Sequence, residues 1–439
     1  MERFIKKRLI EWKNQSNRKP LIIRGARQVG KTWTISDFGK NCFNGNVHIV
    51  NFEKHPEWQK LFDFNLDAKR ILIELEIVLN AKIISGNDLL FFDEIQSCPK
   101  AIMSLRYFYE EIPELHVVAA GSLIEFAFKD ISFPVGRVQF LNMHPLSFSE
   151  FLIAQGKDKL AETILEPPRK QPEIIHISLL NEIRNYMFVG GMPECVNYYK
   201  DNGHFQDVFE IQLNLLSTYR LDFSKYAPYS DKRCLNSVLT SVAKGIGKQI
   251  KYTHLAEGFS IPTIKRAFEL LIMAQLISKI ESVNPSGLPI DATTTGRKFK
   301  ALMTDIGMMQ QICNIPADVE YHKTDLLSIY QGAMAEQFVG QEFTVAGQNE
   351  LYYWSRDEKS SSAEVDFLIT VNNQIIPVEV KSNASGSLKS LHLLLDAYKN
   401  CKTGYVFSCR EYSELPEQKL VFLPLYYAYG VLNRVNGTI

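Results

Sequence analysis

The stretch RGARQVGKTWT, residues 24–34, follows the apolar run PLIIR and contains two glycines, Gly25 and Gly30, that frame four residues. It fits the pattern G-x-x-x-x-G-K-[ST], in which glycines let the backbone wrap a phosphate chain with its N–H groups pointing inward. Lys31 could reach the β- and γ-phosphates of a nucleotide, and the hydroxyl of Thr32 could bind Mg²⁺. A helix that begins at Thr32 would direct its positive end at the phosphates. The alternative is an ordinary glycine turn between a strand and a helix.

A second stretch, NDLLFFDEIQSCP, ends the continuous apolar run Leu89–Phe92 with two acids, Asp93 and Glu94. Such a run is typical of a strand buried on both faces. Asp93, at the carboxyl end of that strand, would lie beside the phosphate loop and hold Mg²⁺ directly or through water. Glu94 could then orient and polarise the attacking water. The two stretches together predict binding of a nucleoside triphosphate with Mg²⁺. The predicted nucleotide-binding residues are Gly25, Ala26, Arg27, Gln28, Val29, Gly30, Lys31, Thr32 and Trp33.

Two further residues are candidates for catalysis at the nucleotide. Ser122 ends the apolar stretch LHVVAAGS, where a polar side chain could sense the γ-phosphate, or it could only cap the next helix. Arg137 in FPVGRVQF could reach a phosphate from a neighbouring subunit or domain, as an arginine finger does, or it could be a surface arginine. The same region alternates apolar strands with helical periodicity, which predicts an α/β fold with a parallel sheet.

Several stretches together resemble one group of proteins. GARQVGKT, FFDEIQ and GRVQFLNMHPLSFSEFL are similar to the AAA-type ATPases common in bacteria and archaea, whose members carry a C-terminal domain of uncharacterised function. MFVGGMPECV resembles the Gly-Gly-x-Pro-Glu segment of that family, and YYWSRDE, AEVDFLI and PVEVKS resemble its C-terminal signature. The resemblance covers nearly the whole chain and implies a P-loop protein that uses ATP rather than GTP. Residues 142–144 depart from it, where more apolar character is expected.

Composition narrows the class of protein. The formal net charge of zero excludes a generally basic DNA-coating protein. Seven scattered cysteines without a CxxC pair argue against a disulfide framework or a zinc knuckle, and they fit a reducing cytoplasm. We find no uninterrupted apolar run long enough to span a membrane. We therefore expect a cytoplasmic protein without a membrane partner.

The length of 439 residues predicts several domains. The predicted boundaries are 1–155 for a P-loop AAA-type ATPase domain, 156–228 for a helical connector, 229–322 for a winged-helix-like domain, and 323–439 for a restriction-endonuclease-like domain.

The third domain contains a possible DNA-reading motif. Gly258 allows a tight turn, and Ser260 is a plausible N-cap for a following helix. The apolar stripe of that helix comprises Ile264, Phe268, Leu271 and Ile272. The pattern resembles a winged helix-turn-helix, whose second helix can enter the major groove. Its outer face offers little beyond Lys265 and Arg266, so we favour a structural or interdomain module over a sequence reader.

The last domain has the predicted order α-β-β-β-α-β, with Glu336 in its first helix. Side chains alternate across a strand, so Glu379 and Lys381 share a face. If Asn372–Asn373 form a two-residue hairpin turn, Asp366 lies directly opposite Glu379. Two facing carboxylates repel each other unless a cation lies between them, and Mg²⁺ and Lys381 would serve.

This order and the D…ExK residues resemble the restriction-endonuclease-like nucleases, in which the acids bind a metal and the lysine helps to activate water. The resemblance implies that Asp366 and Glu379 hold a second Mg²⁺ or a Mn²⁺. Lys381 and the helix acid Glu336 complete the implied catalytic set. The alternative is a polar strand face with an ion pair to Lys381.

We therefore expect an ATPase that requires Mg²⁺ and carries a nuclease-like domain, with DNA or RNA as a partner. The alternative is a regulatory nucleotide switch whose C-terminal domain only binds a protein partner. An oligomer is compatible with both hypotheses.

Overall fold

The computed structural model describes residues 1–127, 134, 136–224, 230–290, 294–315, 331–348, 350–358, 361–381 and 387–433. The chain divides into two compact units, an N-terminal unit (Arg3–His144) and a C-terminal unit (Met1–Glu2 with Pro145–Ile439). Both combine helices and sheet, so the α/β class is confirmed. The further division of the second unit into three domains stays a prediction.

The N-terminal unit alternates strands and helices along the chain, as predicted. Its strands are β1 (Leu21–Arg24), β2 (Val47–Asn51), β3 (Leu89–Asp93), β4 (His116–Gly121) and β5 (Gln139–Asn142). Its helices are α1 (Ile5–Asn14), α2 (Lys31–Cys42), α3 (Ala68–Leu79), α4 (Pro99–Glu111) and α5 (Ile124–Ala127).

The five strands form one parallel sheet in the order β2-β3-β4-β1-β5. β3 and β4 are buried along their whole length, which explains their continuous apolar runs. Asp93 of β3 is level with Ala120 of β4, and Gly121 is level with Arg24 of β1. The loop after β1, the acids Asp93 and Glu94 at the end of β3, and Ser122 after β4 therefore all lie at the same edge of the sheet.

The C-terminal unit begins with helices and ends in a sheet. Its helices are α6 (Phe148–Ala154), α7 (Asp158–Leu165), α8 (Glu173–Val189), α9 (Pro193–Asn202), α10 (Phe205–Asp222), α11 (Lys232–Lys244), α12 (Ile261–Met273), α13 (Ile306–Cys313), α14 (Gln331–Val345), α15 (Lys389–Ala397) and α16 (Ala428–Asn433). Its strands are β6 (Ile277–Val283), β7 (Thr294–Met303), β8 (Tyr352–Glu358), β9 (Ser361–Val371), β10 (Gln374–Val380), β11 (Gly404–Ser408), β12 (Ser413–Leu415) and β13 (Leu420–Pro424).

The local predictions for α12 are confirmed. Gly258 has a φ of +77°, and the Ser260 hydroxyl accepts a hydrogen bond from the Thr263 N–H. The predicted apolar stripe is buried at Ile264, Phe268 and Leu271 and half-buried at Ile272. DNA binding by this helix stays a prediction.

The hairpin β6-β7 after α12 does not form a separate wing. It continues the C-terminal sheet, whose eight strands have the order β12-β13-β11-β10-β9-β8-β6-β7. β6 pairs with β8 in parallel through Glu281 and Ser282. Residues of β7 thereby share a sheet with the D…ExK strands, which the sequence analysis did not predict.

The predicted hairpin register between β9 and β10 is confirmed. Asn372 and Asn373 both have positive φ angles, 49° and 59°, as a type I′ turn requires. Val371 faces Gln374, and the register continues to Phe367 opposite Val378. Extended by one residue, the same register would set residue 366 opposite residue 379, the two predicted acids.

Buried hydrogen bonds connect Leu146, Gly191 and Asp305 in the C-terminal unit. The Leu146 N–H donates to the Gly191 carbonyl at 2.7 Å, and the Gly191 N–H donates to Asp305 Oδ2 at 2.6 Å. A Cβ atom on Gly191 would lie 2.2 Å from the Leu146 carbonyl oxygen. Only glycine therefore fits at residue 191 without a backbone shift.

We expect Gly191→Ala to lower the free energy of unfolding by about 1–3 kcal/mol. The added methyl group would overlap backbone atoms, and moving those atoms costs free energy. Chemical denaturation followed by circular dichroism measures the change. Gly332→Ala in α14 is the matched control, since no atom of the described residues lies within 4 Å of its Cβ position. It should leave stability unchanged or slightly raised. Equal losses in both variants would contradict the close-contact argument.

Candidate functional site

The loop between β1 and α2 has the backbone of a tight phosphate-type turn. Gln28 and Gly30 have positive φ angles of 64° and 94°. A Cβ atom on Gly25 would lie 2.4 Å from the Met143 carbonyl oxygen, so the backbone packs too closely there for any side chain. Both glycines of the motif are thus required, one by conformation and one by space.

The Lys31 ammonium lies inside this loop. Its Nζ donates to the carbonyl oxygens of Gly25 and Ala26, both at 2.9 Å, and the residue is only 8% exposed. Burial lowers the pKa of Lys31 to about 8, although the Glu94 and Asp93 carboxylates act in the opposite direction. The loop therefore holds a cation whose partners are neutral carbonyls.

A carboxylate from the acidic strand reaches the start of α2. The Thr32 hydroxyl lies 3.1 and 3.2 Å from the two oxygens of Asp93, and Asn51 Nδ2 donates to Asp93 Oδ2 at 2.9 Å. Burial, reinforced by the charge of Glu94, raises the pKa of Asp93. Hydroxyl and carboxylate oxygens are the hard donors that Mg²⁺ prefers, so these side chains fit the implied ion.

The other predicted residues surround this pair. Glu94 follows Asp93 with a left-handed φ of 50°, and its Oε2 accepts a hydrogen bond from Gln96 Nε2 at 2.6 Å. Ser122 is buried at the same sheet edge. The remaining loop residues differ in exposure: Val29 is fully buried, Arg27 half-buried, and Gln28 and Trp33 exposed. Their roles at the nucleotide stay predictions.

Arg137 lies away from the phosphate loop of its own unit. It precedes β5, whose first residue Gln139 is level with Leu21 at the amino end of β1. Arg137 Nε is 2.8 Å from Glu110 Oε1 on α4. The hypothesis of an arginine finger therefore needs a second subunit or domain to receive it.

Sequence analysis missed three residues of this site. Asn51 and Gln96 hold Asp93 and Glu94, as described above. The Arg3 guanidinium donates to the Val29 carbonyl at 3.0 Å and to the His144 carbonyl at 2.6 Å, so it braces the phosphate loop. Asn51 could have been found, because it is a polar residue at the end of an apolar strand. No local signal marks Arg3.

The C-terminal unit contains a partly buried ionic group, here called the acidic cluster: Lys300, Glu336, Glu364, Asp366, Glu379 and Lys381. Lys300 Nζ lies 2.8 Å from Glu336, 2.6 Å from Glu364 and 3.0 Å from Asp366. Only 1% of the Lys300 side chain is exposed. Burial alone would lower its pKa, but the three carboxylates raise the pKa of Lys300 well above its ordinary value. The structure thus brings together the four acids and bases predicted for this site and adds Glu364 and Lys300.

The second lysine has a different role. Lys381 contacts Glu379 Oε1, whereas Glu379 Oε2 is buried and has no hydrogen-bond partner among the residues that the structure describes. Burial, with the facing charge of Asp366, raises the pKa of Glu379 to about 8. Burial likewise raises the pKa of Glu336 to about 8, although Lys300 opposes the shift. These acids therefore bind protons more readily than exposed glutamates do.

The residues of the acidic cluster do not fit a divalent metal. Asp366 Oδ1 contacts the Lys300 ammonium, a cation that a divalent ion would have to displace, and Asp366 Oδ2 accepts from the Val380 N–H at 2.9 Å. One unpartnered oxygen on Glu379 is fewer than a Mg²⁺ or Mn²⁺ ion needs. In the part of the chain that the structure describes, no group of three or more His, Cys, Asp or Glu side chains is arranged for a metal.

Three family models match successive segments of the chain. Residues 17–152 match the model described as AAA domain. Residues 180–319 and 331–427 match two models described as domains of unknown function, DUF8612 and DUF4143. No curated protein matches the sequence. The first match and the geometry of the phosphate loop support a nucleotide-binding ATPase of the AAA type.

Three solved structures each resemble the chain weakly. The Thermotoga maritima RuvB Holliday junction branch migration motor has 14% identity and a TM-score of 0.30, with 63% of this chain and 89% of that chain covered. The Drosophila ORC bound to DNA has 15% identity and a TM-score of 0.28, with 73% and 95% covered. AMPPCP-bound DnaA from Aquifex aeolicus has 15% identity and a TM-score of 0.23, with 62% and 75% covered. Scores this low carry no argument about the chain.

Within the described ranges, no helix combines the length and the apolar character needed to cross a membrane.

We expect ATP binding to take up a proton near pH 8, because phosphates favour the charged form of Lys31. Above its pKa of about 8 the free protein has lost this cation, so the association constant should fall by up to about tenfold per pH unit. Calorimetry with a non-hydrolysable ATP analogue, in buffers of different ionisation heat, measures the uptake. Lys40→Ala on the same helix, at an exposed lysine, should retain it. If ATP binding takes up no proton between pH 7 and 9, the assignment of Lys31 as the phosphate-binding cation is contradicted.

Proposed function

We propose that this protein binds ATP with Mg²⁺ and hydrolyses it. The observation that carries the proposal is the convergence of Lys31, Thr32 and Asp93 at one edge of a parallel sheet. An ordinary glycine turn would not require a buried lysine or a carboxylate from a strand two positions away. The preference for ATP over GTP rests on the family resemblance and on the match to the AAA domain model.

Each residue would contribute one element of the reaction. Lys31 would hold the terminal phosphates, and Thr32 and Asp93 would hold Mg²⁺, which neutralises phosphate charge when bound. The Glu94 carboxylate, restrained by Gln96, would orient a water molecule and accept its proton. A bond forms between the water oxygen and the γ-phosphorus, and the bond from that phosphorus to the ADP oxygen breaks.

Two substitutions should separate binding from chemistry. Lys31→Ala should abolish ATP binding, because it removes the buried ammonium that lies inside the phosphate loop. Glu94→Gln should bind ATP with an affinity near that of the parent but hydrolyse it about 10²–10⁴ times more slowly, since the amide cannot accept a proton. Equilibrium binding and phosphate release measure the two properties.

Matched controls test whether these effects are local. Lys40→Ala and Glu11→Gln remove exposed charges from α2 and α1 and should keep both binding and turnover. A Lys31→Ala protein with the parent rate would refute the site. A Glu94→Gln protein that no longer binds ATP would make Glu94 a structural or metal-binding residue.

A second candidate function concerns the C-terminal unit. The nuclease hypothesis couples ATP turnover to cleavage of DNA or RNA at Asp366, Glu379 and Lys381. The alternative is a nucleotide switch whose C-terminal domain binds a protein partner without catalysis. The observation that favours the switch is Lys300, which holds the carboxylate that a nuclease would offer to a metal.

We expect no cleavage of single- or double-stranded DNA or RNA by the purified protein with ATP and either Mg²⁺ or Mn²⁺. The physical reason is that a cation already occupies the acidic cluster. Gel assays measure the products. Cleavage that Lys381→Ala abolishes, while Lys31→Ala slows only its ATP-dependent part, would restore the nuclease hypothesis.

A further inference from the structure

A lysine without access to water is unusual and needs strong compensation. Removing an ammonium group from water costs several kcal/mol unless well-placed acceptors surround it. Lys300 lies on β7 and is 1% exposed, and its acceptors come from α14 and β9. Segments far apart in sequence therefore meet at one ammonium group.

The second oxygens of two of these carboxylates are also satisfied. Glu364 Oε2 accepts from Gln249 Nε2 at 2.7 Å, and Asp366 Oδ2 accepts from the Val380 N–H at 2.9 Å. The ring of Tyr353 lies 5.6 Å from Lys300 Nζ, near enough for a cation–π contact. Both oxygens of Glu364 and of Asp366 are thus paired, one oxygen of each with Lys300.

We propose that Lys300 is the resident cation of the acidic cluster, and that it takes the place in which the D…ExK pattern would hold a divalent metal ion. The cluster then joins β7, β9 and α14 as a charged core, and the C-terminal unit does not depend on a metal. This proposal is independent of ATP hydrolysis in the N-terminal unit.

Lys381 provides the contrast within the same cluster. Its side chain is 24% exposed, against 1% for Lys300, and its ammonium contacts the single carboxylate of Glu379. Removing a solvent-accessible lysine that has one partner changes the stability of a protein little. Loss of Lys300 instead leaves three carboxylates, the buried Glu336 and the partly exposed Glu364 and Asp366, without their common cation. Three such oxygen donors would suit Mn²⁺.

The experiment compares Lys300→Met with Lys381→Met. Both variants and the parent carry Lys31→Ala and are kept free of nucleotide, so that the phosphate loop contributes no bound metal. Electron paramagnetic resonance measures bound Mn²⁺, and thermal unfolding is recorded with and without 1 mM Mn²⁺. A failure of the ATPase proposal cannot affect this result, because no nucleotide is present.

The parent should bind no Mn²⁺ below about 1 mM, and its melting temperature should not respond to the ion. Lys300→Met should melt about 10 °C lower, regain part of that loss with Mn²⁺, and show bound ion. Lys381→Met should melt within about 2 °C of the parent and gain no site.

Two results would overturn the proposal. One is Mn²⁺ binding by the parent that Asp366→Asn abolishes. The other is a Lys300→Met protein that matches Lys381→Met in melting temperature and in its lack of bound ion. Should Lys300→Met fail to fold, the parent and its Asp366→Asn variant still decide whether the cluster takes a metal.

Discussion

A charge removed from water must be paired, and each unit of this protein contains a buried lysine that meets this constraint in its own way. Lys31 has two neutral carbonyl partners, and burial lowers its pKa to about 8. Lys300 has three carboxylate partners, which raise its pKa. A cation held by weak partners can exchange them for phosphate. A cation held by carboxylate partners stays in place and has a structural role.

The candidate nucleotide site depends on a property of the whole sheet. Parallel strands place their carboxyl ends at one edge of the sheet. Residues distant in sequence therefore meet there because the strands pair, without needing contacts between their own side chains. Asn51 and Asp93 are the last residues of two strands, Ser122 follows a third, and the phosphate loop follows a fourth. The fold therefore assembles the site, and the local motifs only supply its side chains.

Side-chain amides of α14 bind this helix to neighbouring segments of the C-terminal unit. Gln337 accepts from the Met303 N–H and donates to the Met303 carbonyl, as a neighbouring strand would. Gln341 accepts from the Ile306 N–H and donates to the Tyr186 hydroxyl. Because these groups are buried and paired, the helix that carries Glu336 has a fixed position relative to β7. That position brings Glu336 to Lys300.

The sequence by itself determined the phosphate loop, the acidic strand and the hairpin register that sets Asp366 against Glu379. Each follows from a local pattern, since glycine placement, strand burial and two-residue turns act over a few neighbouring residues. Only the tertiary structure decided that β7 joins the C-terminal sheet and that Lys300 enters the acidic cluster. Nothing in the stretch KFKALM indicates this, because a lysine between apolar residues is normally exposed. Its partners lie 36 to 66 residues further along the chain, and packing alone selects them.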